Sequence, residues 1–283
     1  MSKTTSLSPK TLILEKKRNI PSDDLGDYTL LFAGEKKTGK TSIATQFPDH
    51  FVLEFEPGNC DHIADCYFRD IHDWNEAKGA LKFLQENPDF CQTLVIDDIP
   101  SVYDFCMRAV RKFLKKGEEE KPGYDGYDVC SRWFTEWIRD IQKLPIGKIY
   151  TAHVDIKESE TRTGRTVSQL EPTWTKQCKK IMDTYVTLTG IILQDDDANR
   201  QMQIVGDSFV KANNGFQNHF LKVDRQTGKG KQVTKIELGN SPQEGYQNIL
   251  RAWNNSFNVK STKVTKSTST NNGGMKQVNV NDL

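Results

Sequence analysis

Short unbroken apolar runs alternate along this chain with stretches whose apolar residues recur every three or four positions. Tyr28–Ala33, Phe51–Phe55, Thr93–Asp97, Lys148–Ala152 and Thr184–Leu193 are runs of the kind that form buried strands. Between them, Lys40–Phe47 predicts a helix stopped by Pro48. Trp74, Ala77, Leu81 and Leu84 lie on one stripe and predict an amphipathic helix over Trp74–Gln85. Val102, Phe105, Ala109 and Phe113 mark another helix, and Trp133, Trp137, Ile141 and Leu144 the next, with a charged loop, Lys115–Gly126, between them. Residues 174–182 predict a short helix. Strands alternating with helices give an α/β fold, a mostly parallel sheet with helices on both faces. Beyond residue 194 the pattern changes. Met202–Val205, Ser208–Lys211, Phe220–Val223 and Val233–Leu238 predict a C-terminal antiparallel hairpin extension. A last helix over 242–253 is announced by Ser241-Pro242, an N-cap residue followed by proline at the first helical position.

The ends read differently from the middle. Residues 1–24 are polar and basic and predict a flexible arm, and residues 254–283 are rich in Ser, Thr, Asn and Lys without periodicity, which predicts a disordered tail. That leaves 25–253 as one domain, a size a single core can fill. No window reaches the roughly 18 apolar residues of a membrane span, and the first residues lack the apolar core of a signal peptide. Six cysteines scattered through 283 residues read as reduced thiols, so the expected compartment is the cytoplasm. The net charge of +1 says nothing about nucleic acid. Locally, Lys211, Lys222, Arg225, Lys229, Lys231 and Lys235 face only Asp224 between 211 and 235, an excess that suits either phosphates or a solvated hairpin.

The sharpest chemical signal is Gly34-Glu35-Lys36-Lys37-Thr38-Gly39-Lys40-Thr41, with Ser42 after it. It fits GxxxxGK[ST] and stands between a predicted strand and a predicted helix, as a phosphate-binding loop must. The two glycines let the backbone turn so that its N–H groups converge on phosphate oxygens. Lys40 can reach the β- and γ-phosphates of a nucleotide, and Thr41 can offer its hydroxyl to Mg²⁺.

Three further signals sit at strand ends. Leu94-Val95-Ile96-Asp97-Asp98 is an apolar strand ending in carboxylate, the pattern that holds magnesium in P-loop proteins, with Asp97 the candidate metal-associated acid and Asp98 a neighbour suited to tuning water or capping the next helix. Glu54 and Glu56, two apart, are expected on one face of their strand. Glu56 falls at the ligand-binding edge of an open sheet, where a carboxylate can take a proton from an attacking water. His153, after Tyr150-Thr151-Ala152, ends the fourth strand where a polar group can sense a γ-phosphate.

With these in place the chain resembles the RecA-like P-loop ATPases, and more narrowly the small ATP-binding recombination and single-strand annealing proteins of bacteriophages, the AAA-domain phage nucleotide-binding family. The resemblance covers about residues 28–253 and rests on GEKKTGKTSIATQFP, FVLEFEPG, TLVIDD, YDGYD and IYTAH. It implies ATP and Mg²⁺ as cofactors, Glu56 as the catalytic glutamate and Asp97 as the metal acid. It puts His153 in place of the glutamine that couples γ-phosphate to a mobile DNA-binding loop. Residues 154–172 take the place of that loop, with Lys157, Arg162 and Arg165 as phosphate contacts. Lys211 takes the place of a lysine that reaches a neighbouring subunit's nucleotide. The partners implied are single-stranded DNA, further copies of the chain in a ring or filament, and single-strand-binding or other recombination and replication proteins. The sequence departs from that pattern in the acids Asp155, Glu158, Glu160 and Glu171 within the loop, and in the charged filler Glu35-Lys36-Lys37.

Other constellations read as ordinary structure: Cys60, His62 and Cys66 as loop residues, Trp133 and Trp137 as core, Tyr124 and Tyr127 as turn packing. Alternatives that remain open are a nucleotide-gated binding module with little turnover, a small-molecule P-loop kinase, and a helicase or helicase loader.

Overall fold

The computed structural model describes residues 20–117, 120–121, 123–160, 166–195, 197–224 and 226–256. Thirteen strands and six α-helices, preceded by a 3-10 turn over Leu25–Asp27, succeed one another through them. The strands are β1 (Thr29–Gly34), β2 (His50–Glu54), β3 (Phe68–Asp70), β4 (Thr93–Asp97), β5 (Gly147–Ala152), β6 (Val154–Glu160), β7 (Thr166–Pro172), β8 (Leu188–Gln194), β9 (Arg200–Gln203), β10 (Asn213–Asn214), β11 (Leu221–Val223), β12 (Gly230–Gln232) and β13 (Lys235–Glu237). The helices are α1 (Lys40–Ala44), α2 (Trp74–Glu86), α3 (Ile99–Phe113), α4 (Gly123–Gln142), α5 (Lys176–Tyr185) and α6 (Pro242–Trp253).

The main sheet runs β13-β9-β8-β1-β5-β4-β2-β3, with β10 added beside β8. From β8 to β3 every pair is parallel, while β9, β10 and β13 join antiparallel. The period of two along a strand sends alternate residues to opposite faces. Leu31 and Ala33 of β1 enter one core with Ile96, Tyr150 and Ile191, under α2, α3, α4 and α5. Leu30 and Phe32 enter the other with Val52, Val95 and Ile149, under α1 and α6. Burial on both faces is why these strands appear in the sequence as continuous apolar runs.

Several expectations need correction. The predicted helix 40–47 stops at Ala44, because Gln46 and Phe47 bond three residues back, to Ile43 and Ala44, in the tight turn that precedes Pro48. Within the expected loop 154–172, residues 154–160 and 166–172 form strands instead: β6 and β7 pair antiparallel from Val154↔Pro172 to Glu160↔Thr166. Helix α4 begins inside the predicted charged loop, so Tyr124 and Tyr127 stand on its first turns, 89% and 41% exposed, rather than packing in a turn. The strand predicted over Thr184–Leu193 starts only at Leu188, because α5 runs on to Tyr185. Ser208–Lys211 forms only an isolated bridge, Val210 to Leu170. Edge strand β3 escaped the pattern because three half-exposed residues carry no period. The Arg162 and Arg165 candidates, most of the N-terminal arm and the tail from residue 257 lie outside the described residues. Among the described residues no helix is long and apolar enough to cross a membrane, and all six cysteines are free.

Candidate nucleotide site

The parallel strands β1, β5, β4 and β2 end together, and their last residues and the turns beyond them face one cavity. It measures about 480 Å³ and is lined by Lys36, Lys37, Gly39, Lys40, Thr41, Ser42, Glu56, Asn59, His62, Asp97 and His153. Gly34 closes β1 with no room for a side chain: a Cβ there would stand 2.8 Å from both the Ile192 carbonyl and the Thr38 hydroxyl. Gly39 caps α1 in the left-handed region, φ 90°, a conformation natural to glycine. Thr38 is buried and ties the loop to itself, donating its hydroxyl to the Glu35 carbonyl at 3.0 Å.

Lys40 lies under this loop. Its ammonium donates to the carbonyls of Gly34 (3.1 Å) and Glu35 (2.8 Å) and comes within 3.5 Å of His153 Nδ1. Burial pushes its pKa down, opposed by the nearby charges of Asp97, Asp98 and Glu56. A buried ammonium held by carbonyls and a histidine nitrogen, with no carboxylate ion-paired to it among the described residues, is a seat for an anion. The residues therefore fit the triphosphate of ATP. Thr41 and Asp97 fit its cation: Thr41 Oγ1 donates to Asp97 Oδ2 at 3.0 Å, two hard oxygen ligands side by side.

Asp97 is almost fully buried and also accepts from Thr151 Oγ1. Thr151 was not among the residues expected at the site, although it lies in the penultimate position of β5, at the sheet edge where ligands bind. Asp98 takes the capping role, accepting from the Ser101 N–H at 2.9 Å. Its carboxyl is pushed up by burial, and its other oxygen stands 3.9 Å from His153 Nε2.

Glu56 reaches the cavity from the turn after β2. Its carboxylate bonds His153 Nε2 at 3.0 Å and Lys36 Nζ at 3.2 Å. The His153 bond is the main reason its pKa lies below the usual carboxylate range. The expected shared face with Glu54 is not observed: β2 ends at Glu54, which accepts from the Cys60 N–H at 2.7 Å. Burial and the Asp70 carboxyl raise the Glu54 pKa to about 7. Only one of the two acids is therefore at the site.

Two predicted residues lie elsewhere. Lys157 and Lys211, with Lys179, converge on Glu171 of β7 at 3.2, 2.8 and 3.2 Å. Lys211 thus sits at the base of the β6–β7 hairpin and is half exposed. Its backbone N–H donates to the Leu170 carbonyl, which ties the 207–211 segment to β7. Glu171 stood out in the sequence only as one of four acids in the 154–172 loop, and Lys179 not at all; nothing in the sequence pointed to their clustering. No cluster of three metal-ligating groups forms among the described residues around Cys60, His62 and Cys66.

A parallel sheet with this strand order, helices on both faces and a phosphate loop between β1 and α1 define a P-loop NTPase of RecA-like architecture. The family model AAA_24, described as an AAA domain, matches residues 27–219, and the chain belongs to that family of ATP-binding, ATP-hydrolysing domains. No curated protein matches the chain. Among solved structures the chain is similar to a KaiC-like protein, PH0186, from the archaeon Pyrococcus horikoshii OT3. That likeness has 13% identity and a TM-score of 0.39, covering 77% of this chain and 88% of the other.

Proposed function

We propose that this ATPase binds single-stranded DNA and that its turnover is coupled to the β6–β7 hairpin. The observation that carries the proposal is a continuous contact path: Lys40 to His153, His153 to Glu56, and His153 directly preceding Val154, the first residue of the hairpin. In this reading Glu56 orients the attacking water and accepts its proton at a carboxylate oxygen as the water bonds the γ-phosphorus, while Lys40 neutralises charge on the β-phosphate of the departing ADP as the β–γ bridge breaks. Magnesium, when bound, would be held through Thr41 and Asp97 and would supply further neutralisation of phosphate charge. His153 gives up its contact with Glu56 when γ-phosphate arrives, and its shift is passed to β6.

Support for DNA is the basic content of the 154–172 sequence, in which Lys157, Arg162 and Arg165 stand against the acids Asp155, Glu158, Glu160 and Glu171. Assembly into a ring or filament would bring Lys211 toward a neighbour's nucleotide, and recombination, annealing or replication is the setting such an activity serves.

The test is steady-state ATP hydrolysis with and without single-stranded DNA. Stimulation of about tenfold or more is expected for the wild type, and it should be lost in His153→Ala while DNA-free hydrolysis persists at a reduced rate. Lys40→Ala serves as the control without turnover. Equal wild-type rates with and without DNA would contradict the coupling.

A further inference from the structure

Arg200 is the first residue of β9, and its place is set by the sheet. It pairs with Gln194, the last residue of β8, and so lies at the edge where the parallel strands end. Met202, two residues on, is buried in the core beneath α1. Arg200 therefore faces the α1 side as well, one step closer to the phosphate loop. Its Nη1 lies 2.8 Å from the point a Cβ on Gly39 would occupy. The guanidinium thus lies over the open side of the residue that caps α1.

The rest of the side chain is anchored but not neutralised. Nη2 donates to the Gly239 carbonyl at 3.2 Å, and the Arg200 carbonyl accepts from the Leu238 N–H at 2.8 Å. Gly239 itself has φ 70° and lies against Glu244, so the anchoring carbonyl is fixed by local structure. Among the described residues no carboxylate forms an ion pair with Arg200. A guanidinium has five donors in a rigid fork, and one hydrogen bond leaves most of them free. An uncompensated cation beside a lysine-rich anion loop is repelled until an anion arrives.

We propose that Arg200 is a cationic ligand of the nucleotide's phosphate chain, supplied by the same subunit, and that it takes the α–β end of that chain. The wall formed by Glu56, Asp97 and His153 belongs to the γ-phosphate and the water. Arg200 is not part of that wall and touches the loop at Gly39. It is a binding and positioning residue, and its contribution should be the same for ADP and ATP.

The inference rests on the nucleotide site and not on DNA, so no DNA enters the experiment. Calorimetric titration of ADP and of a non-hydrolysable ATP analogue into the full chain, Arg200→Gln and Arg200→Lys reads it directly. Arg200→Gln should weaken both nucleotides about 10- to 100-fold, the range of a lost charge-assisted hydrogen bond. Arg200→Lys should recover part of that loss. In hydrolysis assays KM should rise while kcat stays within about threefold, the signature of uniform binding. The nucleotide-free Tm should stay at the wild-type value. ADP affinity within about twofold of wild type would overturn the proposal, as would a loss confined to the ATP analogue. Equal affinity losses in both variants with a matching fall in nucleotide-free Tm would assign Arg200 to packing instead. No heat from ADP with the wild-type chain would overturn the nucleotide site itself.

Discussion

The cavity at the strand ends and the base of the β6–β7 hairpin both bring acids and lysines together, but they are built in opposite ways. Three lysines and two acids line the cavity, of which Lys36 and Glu56 form an ion pair, and several polar groups are deeply buried: Asp97, Asp98 and Thr151 are each at most 3% exposed. Lys40 is held there by carbonyls instead of by an ion pair. At the hairpin base one acid, Glu171, is surrounded by three lysines that are themselves part-exposed. The first arrangement leaves charge waiting for a ligand. The second satisfies its charge within the chain. Damage at the cavity should therefore appear in chemistry, and damage at the hairpin base in stability and coupling.

The largest effect is expected from Asp97→Asn. It keeps the shape but removes the charge beside Thr41, and kcat/KM for ATP should fall about a thousandfold, on the order of 4 kcal/mol of transition-state stabilisation. Thermal unfolding should change little, since relief of a buried charge offsets the weakened hydrogen bonds. A variant with wild-type turnover would break the contrast.

Glu171→Gln should act the other way. Burial is the largest single influence on the Glu171 carboxyl and raises its pKa, but hydrogen bonds from Lys211, Lys179 and Lys157 together outweigh it and hold the value at about 2, against an ordinary 4.5. A carboxyl depressed in the folded state adds stability that is complete above about pH 4.5 and is lost as the pH falls toward 2. With its partners half in solvent, the contribution discounts to about 2 kcal/mol. Denaturant titrations should show the variant weaker by that amount at pH 7 and converging on the wild type near pH 2 to 3. DNA-free ATP hydrolysis should stay within about threefold. A constant gap at all pH values would contradict the ion-pair origin.

The smallest expected effect is at a site remote from both regions. Asp73 caps α2 by accepting from the Asn75 and Glu76 N–H groups at 2.7 and 2.8 Å. Asp73→Ala should cost about 1 kcal/mol in unfolding free energy and leave turnover untouched. A change in turnover would show that α2 communicates with the cavity.

The same contrast explains what was legible in the sequence. The strands buried on both faces, such as Thr93–Asp97, stood out with their limits because nothing else makes a short continuous apolar run. The phosphate loop stood out because glycine at 34 and 39 answers to steric demands that any sequence must meet. The hairpin did not stand out. Val154 and Ile156 are the only apolar residues of Val154–Glu160, and Ile156 is exposed, so the sequence of a strand that pairs with Thr166–Pro172 shows too short an alternation to read. Lys211 and Lys157 looked like free cations because their neutralisation by Glu171 depends on contacts up to 40 residues apart. Glu54 and Glu56 were expected to act from one face because the strand was extended one residue too far, and the turn after Glu54 sends them to different partners.

Single-turnover hydrolysis by Glu56→Gln, measured beside its ATP affinity, bears most directly on the central claim that the Glu56 carboxylate activates water opposite the phosphate loop. The variant is expected to bind ATP within about threefold of wild type and to hydrolyse it about a hundredfold or more slowly, the range for loss of a positioned general base. Hydrolysis at the wild-type rate with ATP bound would contradict it.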